Sequence, residues 1–262
     1  MSHSTIDFTI QSGVASLTLN RPAAANAMNL ELARELMEAA LRCDEDPAVR
    51  AVLLSGRGAM FCGGGDLNEF AARGDDLPRY LKEVTRCLHA AVAHLVRMDA
   101  PVIAAVHGSA AGGGLGLACS ADLLLAADTA RFTMAYTRAG LSPDVSSTYF
   151  LSRVVGLRRA MELTLTNRVL DAAEAAALGL VTRVVPAERL QEEALALATQ
   201  LAAGPTAAFG AAKRLLHAGW NATLESQMEL EARTIADLTR GPDAREGIAA
   251  FAAKRPPRFV GR

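Results

Sequence analysis

Aromatic side chains are scarce in this chain: one Trp, three Tyr and eight Phe among 262 residues, 5% in all. With 51% of the residues apolar, the interior must be built from Ala, Leu and Val, which favours close helix packing over large ring clusters. Cysteine is sparse as well. Cys43, Cys62, Cys87 and Cys119 share no C-x-x-C pairing or zinc-ligand spacing, so neither a disulfide framework nor a metal site is expected, and reduced thiols in the cytoplasm are the simplest account. Basic runs are missing: the net charge is −1 and no stretch is longer than Lys213-Arg214 or Arg158-Arg159. That excludes the electrostatic footprint of a nucleic-acid binder. No apolar run approaches a membrane span, and the N-terminal MSHSTIDFTI has neither the basic nor the apolar region of a secretory signal.

What is present is organised around PVIAAVHGSAAGGGLGLACSAD, Pro101 to Asp122. Val102 to Val106 is a compact apolar run suited to a strand covered on both faces. Gly112, Gly113 and Gly114 then allow close approach of the backbone, and Leu115 to Cys119 favours a helix whose first N–H groups point back into the gap. The glycines serve either tight helix–strand packing or a seat for a partly negative oxygen. A second unit of the same kind runs from the strand at 49–54 into Gly63, Gly64 and Gly65, with Asp66 opening the next helix. Two such units can supply one amide donor each to a single oxygen, an oxyanion hole. Neither is a phosphate loop: no Lys-Ser or Lys-Thr follows, and Leu117 and Asn68 occupy the place of the third glycine in G-x-G-x-x-G.

Around these units the pattern alternates. Ile6 to Ile10 and Val14 to Leu19 read as a hairpin, Leu30 to Cys43 as an amphipathic helix capped by Asn29, 66–79 as a polar, mobile surface segment suited to a lid, Leu81 to Val96 as a long helix, and 122–126 as a further strand. Strands separated by helices predict an α/β fold with crossovers. After Asp144 the chain reads as helical, interrupted by an extended Val181 to Val185. Gly204-Pro205 divides it into a core of 1–203 and a helical region of 204–262.

Asp144 lies in Leu-Ser-Pro-Asp-Val-Ser-Ser. It either caps the helix beginning near Ser146 or serves as the proton-transferring carboxylate that backbone donors cannot replace. Its flanks carry no Lys or Arg, which suits a carboxyl held above its ordinary range.

The motifs LNRPAAANAMN (19–29), FCGGGDL (61–67), AAGGGLG (110–116), GLSPDVSSTYFLSRVVGLRRAMEL (140–163) and FAAKRPPRF (251–259), in this order, resemble the crotonase (enoyl-CoA hydratase/isomerase) superfamily nearly end to end. The resemblance implies a spiral of ββα units with a C-terminal helical oligomerisation region, assembled as a homotrimer or a hexamer of paired trimers. It implies an acyl-CoA thioester as substrate, with coenzyme A part of that substrate and no separate cofactor. The hole donors would be the amides of Gly65 and Gly113. Arg21, Ala23, Ala25, Gly63, Asp66, Leu67, Phe251 and Lys254 match positions that line the CoA, and the acyl pocket would draw on 66–85, Met134, Tyr136 and Leu141.

The departures are as informative. The family's hydratases use two carboxylates, matching positions 116 and 136, and this chain has Gly116 and Tyr136. Double-bond isomerisation needs one proton-moving group and is therefore expected over hydration. The alternative is a 4-chlorobenzoyl-CoA-type dehalogenase, in which Asp144 matches the nucleophile and His89 the base, although Tyr136 stands where that enzyme carries a tryptophan. A CoA-binding homologue without catalysis is a third reading.

Overall fold

The computed structural model describes residues 4–262; Met1 to His3, where the reading of the extreme N-terminus falls, lie outside the described residues. The strands are β1 (Ile6–Gln11), β2 (Val14–Leu19), β3 (Ala51–Gly56), β4 (Val102–Val106), β5 (Ser109–Ala111), β6 (Leu123–Ala127), β7 (Arg131–Thr133), β8 (Leu170–Asp171) and β9 (Arg183–Val185). The helices are α1 (Leu30–Glu45), α2 (Leu67–Ala71), α3 (Leu77–Arg97), α4 (Gly113–Cys119), α5 (Ser147–Val155), α6 (Leu157–Thr166), α7 (Ala172–Ala177), α8 (Leu190–Ala202), α9 (Thr206–Gly219), α10 (Leu224–Leu238) and α11 (Pro242–Ala252).

A six-stranded sheet in the order β1-β2-β3-β4-β6-β9 forms the frame. The β1–β2 hairpin is antiparallel and every other pair in this sheet is parallel, so helical crossovers must cover its faces. All five residues of β4 are buried, which is why this strand reads as unbroken apolar sequence. A second sheet, β5-β7-β8, stands beside the frame. Its strands have three residues or two, too short to produce a periodic signal, and sequence reading did not find them.

The helices are set by local chemistry. Asn29 accepts from Leu32 N at 3.0 Å and opens α1 as expected. α1 presents Leu32, Leu36, Ala39, Ala40 and Cys43 to the core and packs along α3. α3 begins at Leu77, earlier than predicted, because Pro78 sits in its first turn, where the missing N–H costs nothing.

The stretch 66–79, expected as a mobile polar segment, instead forms α2 and a 3-10 turn. Asp66 accepts from Glu69 N at 3.1 Å. Tyr80 OH donates to Glu69 Oε1 at 2.6 Å and accepts from Leu30 N at 3.0 Å. Arg73 pairs with Glu69, and its guanidinium stands 4.0 Å from the Tyr80 ring centroid. Polar composition here marks ion pairs and hydrogen bonds that tie the segment to α1 and α3.

In the C-terminal part, α9 contacts α3. Its Lys213, 8% exposed, reaches Asp122 Oδ2 at 2.7 Å and Ala100 O at 3.0 Å. Arg50 donates to Gly204 O at 2.5 Å and to Thr206 Oγ1 at 3.2 Å. Apolar side chains nevertheless remain outside: Leu216, Leu224, Ile235, Ile248 and Phe251 are all exposed, Phe251 at 87%. Among the described residues, no helix is long and apolar enough to cross a membrane.

Candidate active site

The two glycine runs meet because the segment 61–65 is the middle of three short extended pieces. On one side Cys62 N donates to Ser109 O at 3.1 Å and Ala111 N to Cys62 O at 2.9 Å. On the other, Met28 N donates to Gly64 O at 2.7 Å and Asp66 N to Met28 O at 3.1 Å. Asn26, fully buried at φ 53°, pins the approach: its side-chain amide donates to Arg57 O, Met60 O and Phe61 O, and its Oδ1 accepts from Arg21 N. Sequence reading missed Asn26, although an asparagine between alanines before an apolar helix is a residue type suited to left-handed backbone.

Glycine is required at the meeting point. Gly64 has φ 96°, and a Cβ there would stand 2.9 Å from Ala111 O. At Gly112 (φ 51°), a Cβ would lie 3.7 Å from Gly64 Cα. Among the described residues, neither Gly65 N nor Gly113 N donates to a protein acceptor, and both glycines line a cavity of about 220 Å³. A further, apolar wall comes from α2 and α3, with Leu67, Phe70, Leu81, Val84 and Leu88; the Phe70 ring stands against Gly65, where a Cβ would lie 2.7 Å from Phe70 Cε2. The remaining wall holds Tyr136, Leu141, Asp144 and Val145. Met134, expected in the pocket, is 1% exposed and belongs to the core.

Asp144 does not cap α5. Its backbone carbonyl accepts from Ser147 N at 3.0 Å and from Ser147 Oγ at 2.5 Å, while its carboxylate accepts at Oδ1 from Tyr136 OH at 2.6 Å. Burial raises the carboxyl above its ordinary range; the Tyr136 hydrogen bond and the nearby His89 pull it back only in part. The phenol is pushed up in turn by burial and by Asp144, because losing its proton would set a second negative charge beside the first. The pair therefore holds one proton on Tyr136 and leaves the carboxylate as the group able to accept another.

The structure also explains the missing second acid. A Cβ at Gly116 would stand 2.6 Å from Val145 O and 3.2 Å from Ser147 Cβ, so no side chain fits at 116 without a backbone shift. His89 is exposed on α3, outside the cavity lining, and reaches Asp144 only through its field. Cys62 is no nucleophile: burial pushes its thiol up to about 12, and it donates to Asn26 O at 3.1 Å.

Of the residues expected along the CoA, Arg21 and Asp66 pair with each other at 2.9 Å, both nearly buried. Ala25 O accepts from Gly63 N at 2.9 Å, Gly63 and Leu67 lie on the cavity wall, and Ala23 is exposed. Phe251 and Lys254, both exposed, sit at the end of α11 and just beyond it, away from the cavity lining.

The family model described as "Enoyl-CoA hydratase/isomerase" matches residues 9–262. A protein of Rhodobacter capsulatus named "Probable enoyl-CoA hydratase" is 43% identical over 262 residues, 100% of both chains. The "1,2-epoxyphenylacetyl-CoA isomerase" of Escherichia coli is 39% identical over 257 residues, covering 97% of both. A crystal structure titled as a putative enoyl-CoA hydratase from Streptomyces coelicolor superposes with a TM-score of 0.94 at 39% identity, over 100% of this chain and 96% of that one.

Proposed function

The chain belongs to the enoyl-CoA hydratase/isomerase family, and on that premise we propose that it is an acyl-CoA isomerase, moving a double bond along the acyl chain rather than adding water to it. Gly65 N and Gly113 N donate to the thioester oxygen. Asp144 takes the proton from C2; the C2–H pair moves into the dienolate, whose charge rests on the held oxygen. The same carboxyl returns the proton at C4 as the C2=C3 bond forms. Each hole donor is worth about 2.7–4 kcal/mol of barrier.

The observation that supports this reading is the acid inventory of the cavity. Among the described residues, Asp144 is the one carboxylate in its lining, and the place for a second is closed at Gly116 by Val145 O. Addition of water is best served by one group that activates it and another that delivers the α-proton; here a single carboxylate would have to do both in turn. The exposed apolar side chains of α9 to α11 support packing of the helical region against further copies, as trimer or hexamer.

Incubation with a 3-enoyl-CoA, followed by the ultraviolet absorbance of the conjugated thioester, tests the proposal. Isomerisation abolished in Asp144→Ala is the expected result; rapid hydration of a 2-enoyl-CoA without isomerisation refutes it. A dehalogenase reading draws support from the field of His89 on Asp144, and chloride release from a 4-chlorobenzoyl-CoA, lost in His89→Gln, would favour it. Turnover of neither substrate would favour a CoA-binding role.

A further inference from the structure

The turn after Asp144 runs through two consecutive left-handed residues, Val145 at φ 47° and Ser146 at φ 57°. A β-branched residue is strongly disfavoured there, so its surroundings must hold it. Ser147 N and Oγ close the turn on Asp144 O, and Val145 is 1% exposed. Its side chain lies against the first turns of α4. A Cβ at Gly113 would stand 3.2 Å from Val145 Cγ2, and one at Gly116 would stand 3.2 Å from Val145 Cβ. Two glycines of one element and a strained valine of another thus form a single steric unit beside the carboxylate, and Val145 faces the cavity.

From this juxtaposition we infer that Val145 is a specificity-determining residue: its isopropyl group occupies the room beside Asp144 that a water molecule would need in order to add to the substrate, and so commits the site to proton transfer. The inference rests on the isomerase reading. A water needs about 10–15 Å³ and two to four polar partners. With an acyl group filling the cavity, the place left for such a water is against the first turns of α4, where Val145 Cγ2 and Cβ stand, and Asp144 Oδ1 is already engaged by Tyr136. Backbone stability alone favours glycine at φ 47°. A strained residue kept next to the reacting groups points to a role in the chemistry.

The hydration that Val145 suppresses is balanced as follows. The oxygen of water bonds to C3 of a 2-enoyl thioester, one of its protons passes to the Asp144 carboxylate, and that carboxyl delivers a proton to C2. Wild type, Val145→Gly and Val145→Ala are compared in D₂O, first on a 3-enoyl-CoA and then on a 2-enoyl-CoA. Deuterium in the isomerised product and the yield of 3-hydroxyacyl-CoA are read by mass spectrometry. In Val145→Gly the ratio of hydration to isomerisation rises on the order of ten-fold or more and deuterium incorporation increases, while the melting temperature holds or rises. Val145→Ala, which keeps a Cβ in the left-handed region, moves both readouts in the same direction and separates side-chain volume from backbone relief. Unchanged product ratio and deuterium content in both variants, with isomerisation intact, overturn the role of Val145 alone. Absence of isomerisation in the wild type, with Asp144→Asn altering no turnover, overturns the functional reading and this inference together.

Discussion

Replacing Tyr136 by Phe removes one oxygen from the site and leaves the ring that fills the wall. In the parent chain that oxygen donates to Asp144 Oδ1 at 2.6 Å and opposes the burial that drives the carboxyl upward. In the proposed isomerisation Asp144 is the base and must be ionised, so activity should fall as the pH drops through its titration. Without the phenol, burial acts with less opposition, the carboxyl rises further, and the acid limb of the pH–rate profile moves to higher pH. A hydrogen bond to a charged acceptor is worth about 1.5–3 kcal/mol, which translates into roughly a ten- to hundred-fold loss of kcat/KM on the acid side. Raising the pH should recover much of it. The assay is the initial rate of conjugation of a 3-enoyl-CoA across the pH range, with the melting temperature followed in parallel. An acid limb that coincides with that of the wild type would refute the coupling between these two residues, whatever happened to the maximal rate.

Asp144→Asn should lower the isomerisation rate by about 10²–10⁴-fold while raising the melting temperature at neutral pH, because it removes a carboxylate whose burial disfavours ionisation. The carboxyl titrates higher in the folded chain than in the unfolded one, so it costs stability as the pH rises through its range; the advantage of Asn, followed by thermal melts, should shrink toward acid pH. Gly64→Ala places a Cβ at φ 96° and 2.9 Å from Ala111 O, a left-handed conformation that costs about 1–2 kcal/mol before any clash. Urea unfolding should register that loss, and a displaced Gly65 amide should lower kcat about 10²-fold or more. Lys213→Met takes from Asp122 its ion-pair partner at 2.7 Å and leaves the carboxylate to Val102 N alone; a loss of about 1–3 kcal/mol in chemical denaturation is expected.

The sequence carried the parts of this fold that are written locally. Val102 to Val106 announced a covered strand, Asn29 a cap, and the two glycine runs a backbone brought close to something. Asp144 could be singled out, but not separated from a capping role, because the choice depends on Tyr136, whose hydroxyl takes the carboxylate in space. The same limit hid the left-handed Val145, since nothing in Asp-Val-Ser-Ser suggests positive φ. Arg21 and Asp66 were both expected along the CoA, yet their pairing at 2.9 Å joins residues far apart in the chain. In the polar run of 66–79 the surface position is legible, but its helical turns are not, for a related reason. Its charges are answered by Tyr80 and by one another, and composition records the charges without their partners.

The placing of 61–65 between 26–28 and 109–111 makes Gly65 and the strand that leads into Gly113 parts of one small ladder rather than of two independent loops. Lengthening or shortening the Arg21–Met28 bend by a single residue would slip Gly65 against Gly113 even though the bend contributes no proton-moving group, so errors of length there would be felt first as lost turnover and only later as lost stability.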